Sequence, residues 1–178
     1  VWSQRSDQRF LKDDTRRAYG ERAIALLETI PEDTQTLRLR GFTYAVLASI
    51  SHGERADSLV ALGQSALDAI DTTSAPRGHA SLVPVGRAYY RLASAYNHLM
   101  DYERAIPAYY AAAHLVPDSF TEAISYFFIG TSCDRLGRRE EALNAYAISE
   151  VHPRNSPRGV RCSRHARVYP FGFFPERE

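Results

Sequence analysis

Lysine is nearly absent from this chain of 178 residues: Lys12 is the only one, and arginine supplies the rest of the fixed positive charge. Such a bias fits GC-rich coding before it argues for nucleic-acid contact. Methionine is as scarce, with Met100 alone, and the chain opens at Val1, so we expect a trimmed chain or a piece of a longer protein. No run of about 18 apolar residues occurs, which argues against a membrane-spanning helix. The opening Val1-Trp2-Ser3-Gln4-Arg5 lacks the apolar centre of a secretory leader, and a cytoplasmic setting is expected. Two cysteines, Cys133 and Cys162, make neither a disulfide framework nor a structural zinc site, which needs closely spaced sets of ligands. Cys133 falls in a helix-forming stretch and reads as a small buried thiol.

The signatures of catalysis are missing too. None of His52, His79, His98, His114, His152 and His165 stands four residues from another histidine or from a cysteine, and HExxH does not occur. There is no phosphate-cradling GxxxxGK[ST], no GxGxxG after a strand and no nucleophile elbow. The acidic pairs Asp13/Asp14, Glu32/Asp33 and Glu140/Glu141 sit at expected helix starts, where they complement the helix dipole without any acid–base role. An enzyme, a metal and a cofactor are therefore not expected.

What the sequence does have is a repeat rich in alanine and tyrosine. The clearest unit, Gly86–Ser119, is 34 residues long and spaces Tyr89, Leu92, Ala93 and Tyr96 in a first helix. Ala105, Tyr109 and Ala112 follow in a second helix, and Pro117 closes the unit. A second unit over 123–153 repeats the scheme with Tyr126, Ile129, Gly130, Cys133, Gly137, Ala142, Tyr146 and Ser149. Antiparallel helices pack closely only where a small side chain accepts a large one, which is the part assigned to Ala93, Gly130, Ala105 and Ala142. Met100-Asp101 and Leu136-Gly137-Arg138 form the turns, with Gly137 suited to a left-handed C-cap.

This period and residue pattern resemble the tetratricopeptide repeat family, specifically over 86–153. Upstream, Glu21-Arg22-Ala23-Ile24 parallels Glu103-Arg104-Ala105-Ile106, and Leu27 parallels Tyr109. Between them a weaker unit is read from Phe42, Gly53, Ser58, Leu62 and Ser65. The second-helix anchors Ala23, Ser58, Ala105 and Ala142 are then 35, 47 and 37 apart. The longest gap holds the Ser-, Pro- and Gly-marked loop 71–84. Degenerate repeats are thus expected at about 4–37 and 39–70, with helices near 7–17, 20–30, 34–51, 54–70, 83–99, 102–115, 120–136 and 139–150. Pro107 removes one helical hydrogen bond and should kink its helix slightly on an exposed face. After Pro153 the helical period stops. The segment 154–178 is expected to be a disordered tail, basic through Arg154, Arg158, Arg161, Arg164, Arg167 and Arg177, and aromatic at its end through Tyr169, Phe171, Phe173 and Phe174.

The resemblance implies an all-α, right-handed superhelical array of antiparallel helix hairpins over 1–153. It also implies a non-catalytic scaffold that binds a protein or peptide partner on the concave face of its first helices. Projected residue by residue, that groove takes Arg87, Tyr90, Ser94, Asn97, His98, Phe127, Thr131, Asp134 and Arg135, with Arg40, Thr43 and Leu47 from the weaker unit. One subset of the family grips the C-terminal carboxylate of chaperone tails with basic and Asn residues. The matching positions here are Thr43/Leu47, Tyr90/Ser94 and Phe127/Thr131, none of them basic or Asn, so that clamp is absent. Nucleic-acid binding by the arginine-rich tail is disfavoured, because its aromatics lie beyond most of its arginines. The alternative role is that of a sensory or regulatory module in a larger bacterial signalling protein or transcription regulator. The end of the array after 139–150 calls for a cover, which a second copy or the aromatic tail can supply.

Overall fold

A computed structural model describes residues 12–170; the helix expected from residue 7 and the aromatic Phe171, Phe173 and Phe174 fall in whole or in part outside that range. Eight helices and no strands make up the described residues. They are α1 (Asp13–Leu27), α2 (Thr34–Ala48), α3 (Glu54–Asp68), α4 (Val83–His98), α5 (Tyr102–Leu115), α6 (Phe120–Arg135), α7 (Arg139–Val151) and α8 (Pro157–Val168). The chain is an all-α array in which α2–α3, α4–α5 and α6–α7 are antiparallel hairpins. Each hairpin starts and stops on local chemistry. The Asp33, Asp101 and Ser119 side chains accept from the backbone N–H groups of Thr36, Arg104 and Glu122, capping α2, α5 and α6. Met100 and Gly137 both take left-handed φ, 60° and 75°, to turn α4 into α5 and α6 into α7. In each turn a following N–H reaches back past the glycine-type position, Asp101 to the Tyr96 carbonyl and Arg138 to the Cys133 carbonyl.

The core is built from small-against-large pairs. Tyr89, Leu92, Ala93, Tyr96, Ala105, Tyr109, Ala112, Ala142 and Tyr146 are buried, whereas Tyr126 and Pro117 are half-buried. Gly130 lies under the Tyr146 ring so closely that a Cβ there would stand 2.4 Å from Cε1. In the α2–α3 hairpin the same close approach is made by Gly41 and Gly63, where a Cβ on Gly41 would meet Leu67 at 2.5 Å. This places the register of α3 differently from the sequence reading. Ser58, Leu62 and Ser65 are exposed, and the buried stripe is Ala56, Val60, Gly63 and Leu67. The small anchor is Ala56 in Glu54-Arg55-Ala56, the same triplet that opens the equivalent stretches at 21–23 and 103–105.

Two further expectations are corrected. A turn near 18–19 was expected between helices 7–17 and 20–30, but α1 runs unbroken through it. Its Gly20 is a contact for Leu47 of α2, not a helix stop, and a Cβ there would lie 2.6 Å from Leu47 Cδ2. Within the segment expected to be a disordered tail, Pro157–Val168 form α8. Ser156 accepts from Gly159 N–H at 3.0 Å and Pro157 occupies the first turn, so α8 has a well-formed start. Its contact face is made of small residues: Ser163 donates to Ser149 Oγ (3.0 Å), which donates to the Ala123 carbonyl (2.8 Å), and Ala166 is 2 % exposed. Thus α8 covers the end of the α6–α7 hairpin. Pro107, in contrast, sits exposed inside an unbroken α5, as its position suggested.

Arg164 and Arg167 of α8 both donate to Glu150 of α7, each at 2.9 Å, and these bonds hold the Glu150 carboxyl below the usual carboxylate range. A carboxyl depressed in the folded state contributes stability above its unfolded pKa and loses it as pH falls through the folded value. Acidification below about pH 4 should therefore loosen α8 before the rest of the array. Amide hydrogen exchange at pH 6 and pH 3.5 checks this. Equal protection of residues 157–168 at both pH values would show that Glu150 does not hold the helix.

The long connection between α3 and α4 is fastened to distant turns. Arg77 donates through Nε to the His114 carbonyl and through Nη2 to Glu122 Oε1, both at 2.9 Å. Glu122 Oε2 accepts from Asp118 N–H (2.7 Å) and lies 3.1 Å from His152 Nε2. One buried carboxylate thus gathers the loop before α4, the turn before α6 and the residue after α7.

Candidate functional site

The helices fall into two layers. Among the described residues α4 touches both α2 and α6, while α3, α5 and α7 do not touch one another. The layer α2, α4 and α6 is read as the inner one, with α4 at its centre. On α4, Arg87, Arg91, Ser94 and His98 recur at the i, i+4, i+7, i+11 spacing that aligns side chains on one helix face. Arg87 and His98 are exposed, and Tyr90, Ser94 and Asn97 are half-buried. Between this face and α2 lies a cavity of about 320 Å³, lined by Arg91, Ser94, His98, Ala45, Val46, Ser49 and, from α1, Arg16. Arg91 also lies over the ring of Phe42 of α2, 5.9 Å from its centroid.

The floor of this region is aromatic. Tyr109 of α5 stacks on Phe128 of α6 at 5.5 Å, and Tyr90 meets Tyr109 edge-on at 5.8 Å. The Tyr109 hydroxyl is buried, makes no hydrogen bond of good geometry, and lies beside Ser94 and Asn97. Burial raises its pKa, and those two side chains pull it partly back.

Other projected positions are placed elsewhere. Thr43 and Leu47 are 0 % and 2 % exposed and belong to packing, Leu47 against Gly20 of α1; Arg40 spans Glu32 (2.5 Å) and the Leu27 carbonyl (2.9 Å). Thr131 is buried with its hydroxyl donating to the Phe128 carbonyl at 3.0 Å. The Asp134 side chain is 1 % exposed and accepts from Arg139 Nη1 and the Tyr146 hydroxyl at 2.9 Å, so it is a structural carboxylate and not a groove ligand. Arg135 is exposed at the end of α6. Phe127 packs 5.9 Å from Tyr146 and faces α8 across a cleft of about 640 Å³, whose other walls are Arg158, Arg161, Cys162, His165 and Ala166. Arg91, Ser49 and Arg16 were not among the projected residues. The α4 spacing pointed to Arg91, but no sequence signal brought Arg16 of α1 to the same cavity.

No group of three or more His, Cys, Asp or Glu side chains arranged for a metal occurs among the described residues. Cys133 is buried, with its thiol pushed up to about 11 chiefly by desolvation, and Cys162 is exposed. No described helix is long and apolar enough to cross a membrane.

Layered antiparallel hairpins with small residues at their crossings define a helical-repeat protein. Residues 86–117, which hold α4, its turn and α5, match the family model of the tetratricopeptide repeat, and this segment carries one such repeat. Repeats of this family serve as protein–protein interaction modules and are generally non-catalytic. No curated protein and no solved structure matches the chain.

Proposed function

We propose that the chain is a binding scaffold that takes a peptide or a partner helix along the inner layer, over the exposed faces of α4 and its neighbours. The observation that carries this reading is the α4 face itself. Ser94 and His98, both in the segment that matches an interaction repeat, open onto a cavity of about 320 Å³. Asn97 can hydrogen-bond a peptide backbone whatever its side chains, and Tyr90 offers an apolar surface beside it. The inner layer presents these groups on helices fixed by packing on both sides, so little ordering cost falls on the scaffold when a ligand arrives.

Ser94→Trp tests it by filling the cavity from within. Peptides selected on the wild-type chain from a displayed random library should bind the variant at least about tenfold more weakly, a loss of roughly 1.4 kcal/mol. The variant's melting temperature should stay close to that of the wild type, because the cavity of about 320 Å³ in front of the half-buried Ser94 can take the ring. Undiminished binding by a folded Ser94→Trp chain would place the ligand somewhere other than this face.

A further inference from the structure

Charge is segregated between the two layers. Neither α2 nor α4 contains a carboxylate, while α2 carries Arg38 and Arg40 and α4 carries Arg87 and Arg91. The two acidic residues of α6 are buried and engaged, Glu122 with Arg77 and Asp134 with Arg139. The exposed acids of the hairpins lie instead on α3, α5 and α7, among them Glu54, Asp57, Glu103, Glu140 and Glu141. The cavity between α2 and α4 follows the same rule among the described residues: Arg16, bonded to Asp13 at 2.9 Å, Arg91 and His98 line it, and no carboxylate does.

Two details strengthen the pattern. Arg38 shares a helix face with Phe42, Ala45 and Ser49, and its guanidinium is partly desolvated, with burial the sole cause lowering its pKa. A cation drawn partly out of water with no carboxylate beside it favours an incoming anion. At the far end, α8 divides its arginines: Arg164 and Arg167 are tied to Glu150, whereas Arg158 and Arg161 line the cleft over Phe127, again with no acidic residue among the described residues of its walls.

From this segregation we infer that the occupant of the inner face is an acidic protein segment, whose Asp and Glu side chains meet Arg87 and Arg91 and whose apolar side chains reach the surfaces beside them. The inference rests on the binding reading given above and names its partner class. A protein segment suits the face better than a nucleic-acid strand. The walls between the arginines are Ala45, Val46, Ser49 and Ser94, and the rings beside them are already engaged, Tyr109 stacked on Phe128 and Phe42 under Arg91, whereas a strand needs open aromatic platforms for successive bases.

The test is the composition of peptides selected by the full chain from a displayed random dodecapeptide library at low salt. Asp plus Glu should be enriched roughly twofold or more over the input, and binding should weaken as salt is added. Arg87→Gln/Arg91→Gln should weaken selected peptides about tenfold, whereas Asp57→Asn on α3 should leave them unchanged. A selected pool that is blocked by Ser94→Trp but holds no excess of acidic residues overturns this inference and leaves the binding reading standing. A pool that binds Ser94→Trp as well as wild type, or no pool at all, removes both. A labelled single-stranded oligonucleotide that binds more tightly than the acidic peptides at the same salt also overturns it.

Discussion

Arg139→Met is expected to release α8 from the array and to lower stability by roughly 3 kcal/mol, the low end for a broken buried ion pair because Arg139 is itself about a third exposed. Arg139 works in two directions. Nη1 donates to both oxygens of Asp134 at 2.9 Å, and Nη2 donates to the carbonyls of Ala166 and Arg167 at 3.0 and 2.7 Å. Those carbonyls belong to the last turn of α8, where helical partners run out and a cationic donor is favoured by the dipole. Methionine retains much of the arginine stem's apolar volume, so the change isolates the polar contacts. It takes the cation away from the Asp134 carboxylate, whose side chain is 1 % exposed, while the Tyr146 hydroxyl still donates to it. Hydrogen exchange should show residues 157–168 unprotected in the variant, with a lower denaturant midpoint for the whole chain. A variant that keeps both would mean that the Ser149–Ser163 seam and the Glu150 pairs hold α8 by themselves.

The second large effect is expected at Gly130. A valine there must place its Cβ where Tyr146 Cε1 now stands 2.4 Å away, and that ring cannot withdraw. Tyr146 is fully buried, its hydroxyl is fixed to Asp134 at 2.9 Å, and Phe127 closes the side. Forcing the two helices apart should cost about 3 kcal/mol. For a chain of this size that is a fall of roughly 6–12 °C in melting temperature, readable by calorimetry. Alanine at the same position should do less harm, since its better helix propensity returns up to about 1 kcal/mol. Because Gly130 and Arg139 both act through Tyr146 and Asp134, their effects should fall short of additive in the double variant.

How much of this was visible beforehand depends on what marks a residue in the chain. Ala93, Ala105, Gly130, Ala142 and their tyrosine partners could be read because the 34-residue spacing survives intact from Gly86 onward. In the α2–α3 hairpin the triplet Glu54-Arg55-Ala56 carried the correct register, but a reading guided by distance to the next anchor settled on Ser58. The helix α8 escaped notice for another reason. It docks through Ser163 and Ala166, so no stripe of large apolar residues announces its buried side, although Ser156-Pro157 marked its start. The inner face divides the same way. Arg87, Tyr90, Ser94, Asn97 and His98 lie on a face that helical spacing alone defines. Thr131 and Asp134 share that spacing on α6, yet the rotation of α6 against α7 turns both inward, and only the packed helices fix that rotation.

The carboxylate of Glu122 gives the array a property that its hairpin pattern does not imply. In an ordinary stack each repeat communicates only with the next, and terminal units can fray while the middle holds. Here a loop from before α4 is bonded to the end of α5 and the start of α6, and His152 beyond α7 meets the same side chain. Loss of any one of these hairpins removes a bond from the others across more than one repeat. The stretch from Arg77 to His152 is therefore expected to unfold as a single cooperative unit, with α8 the first of its neighbours to come away.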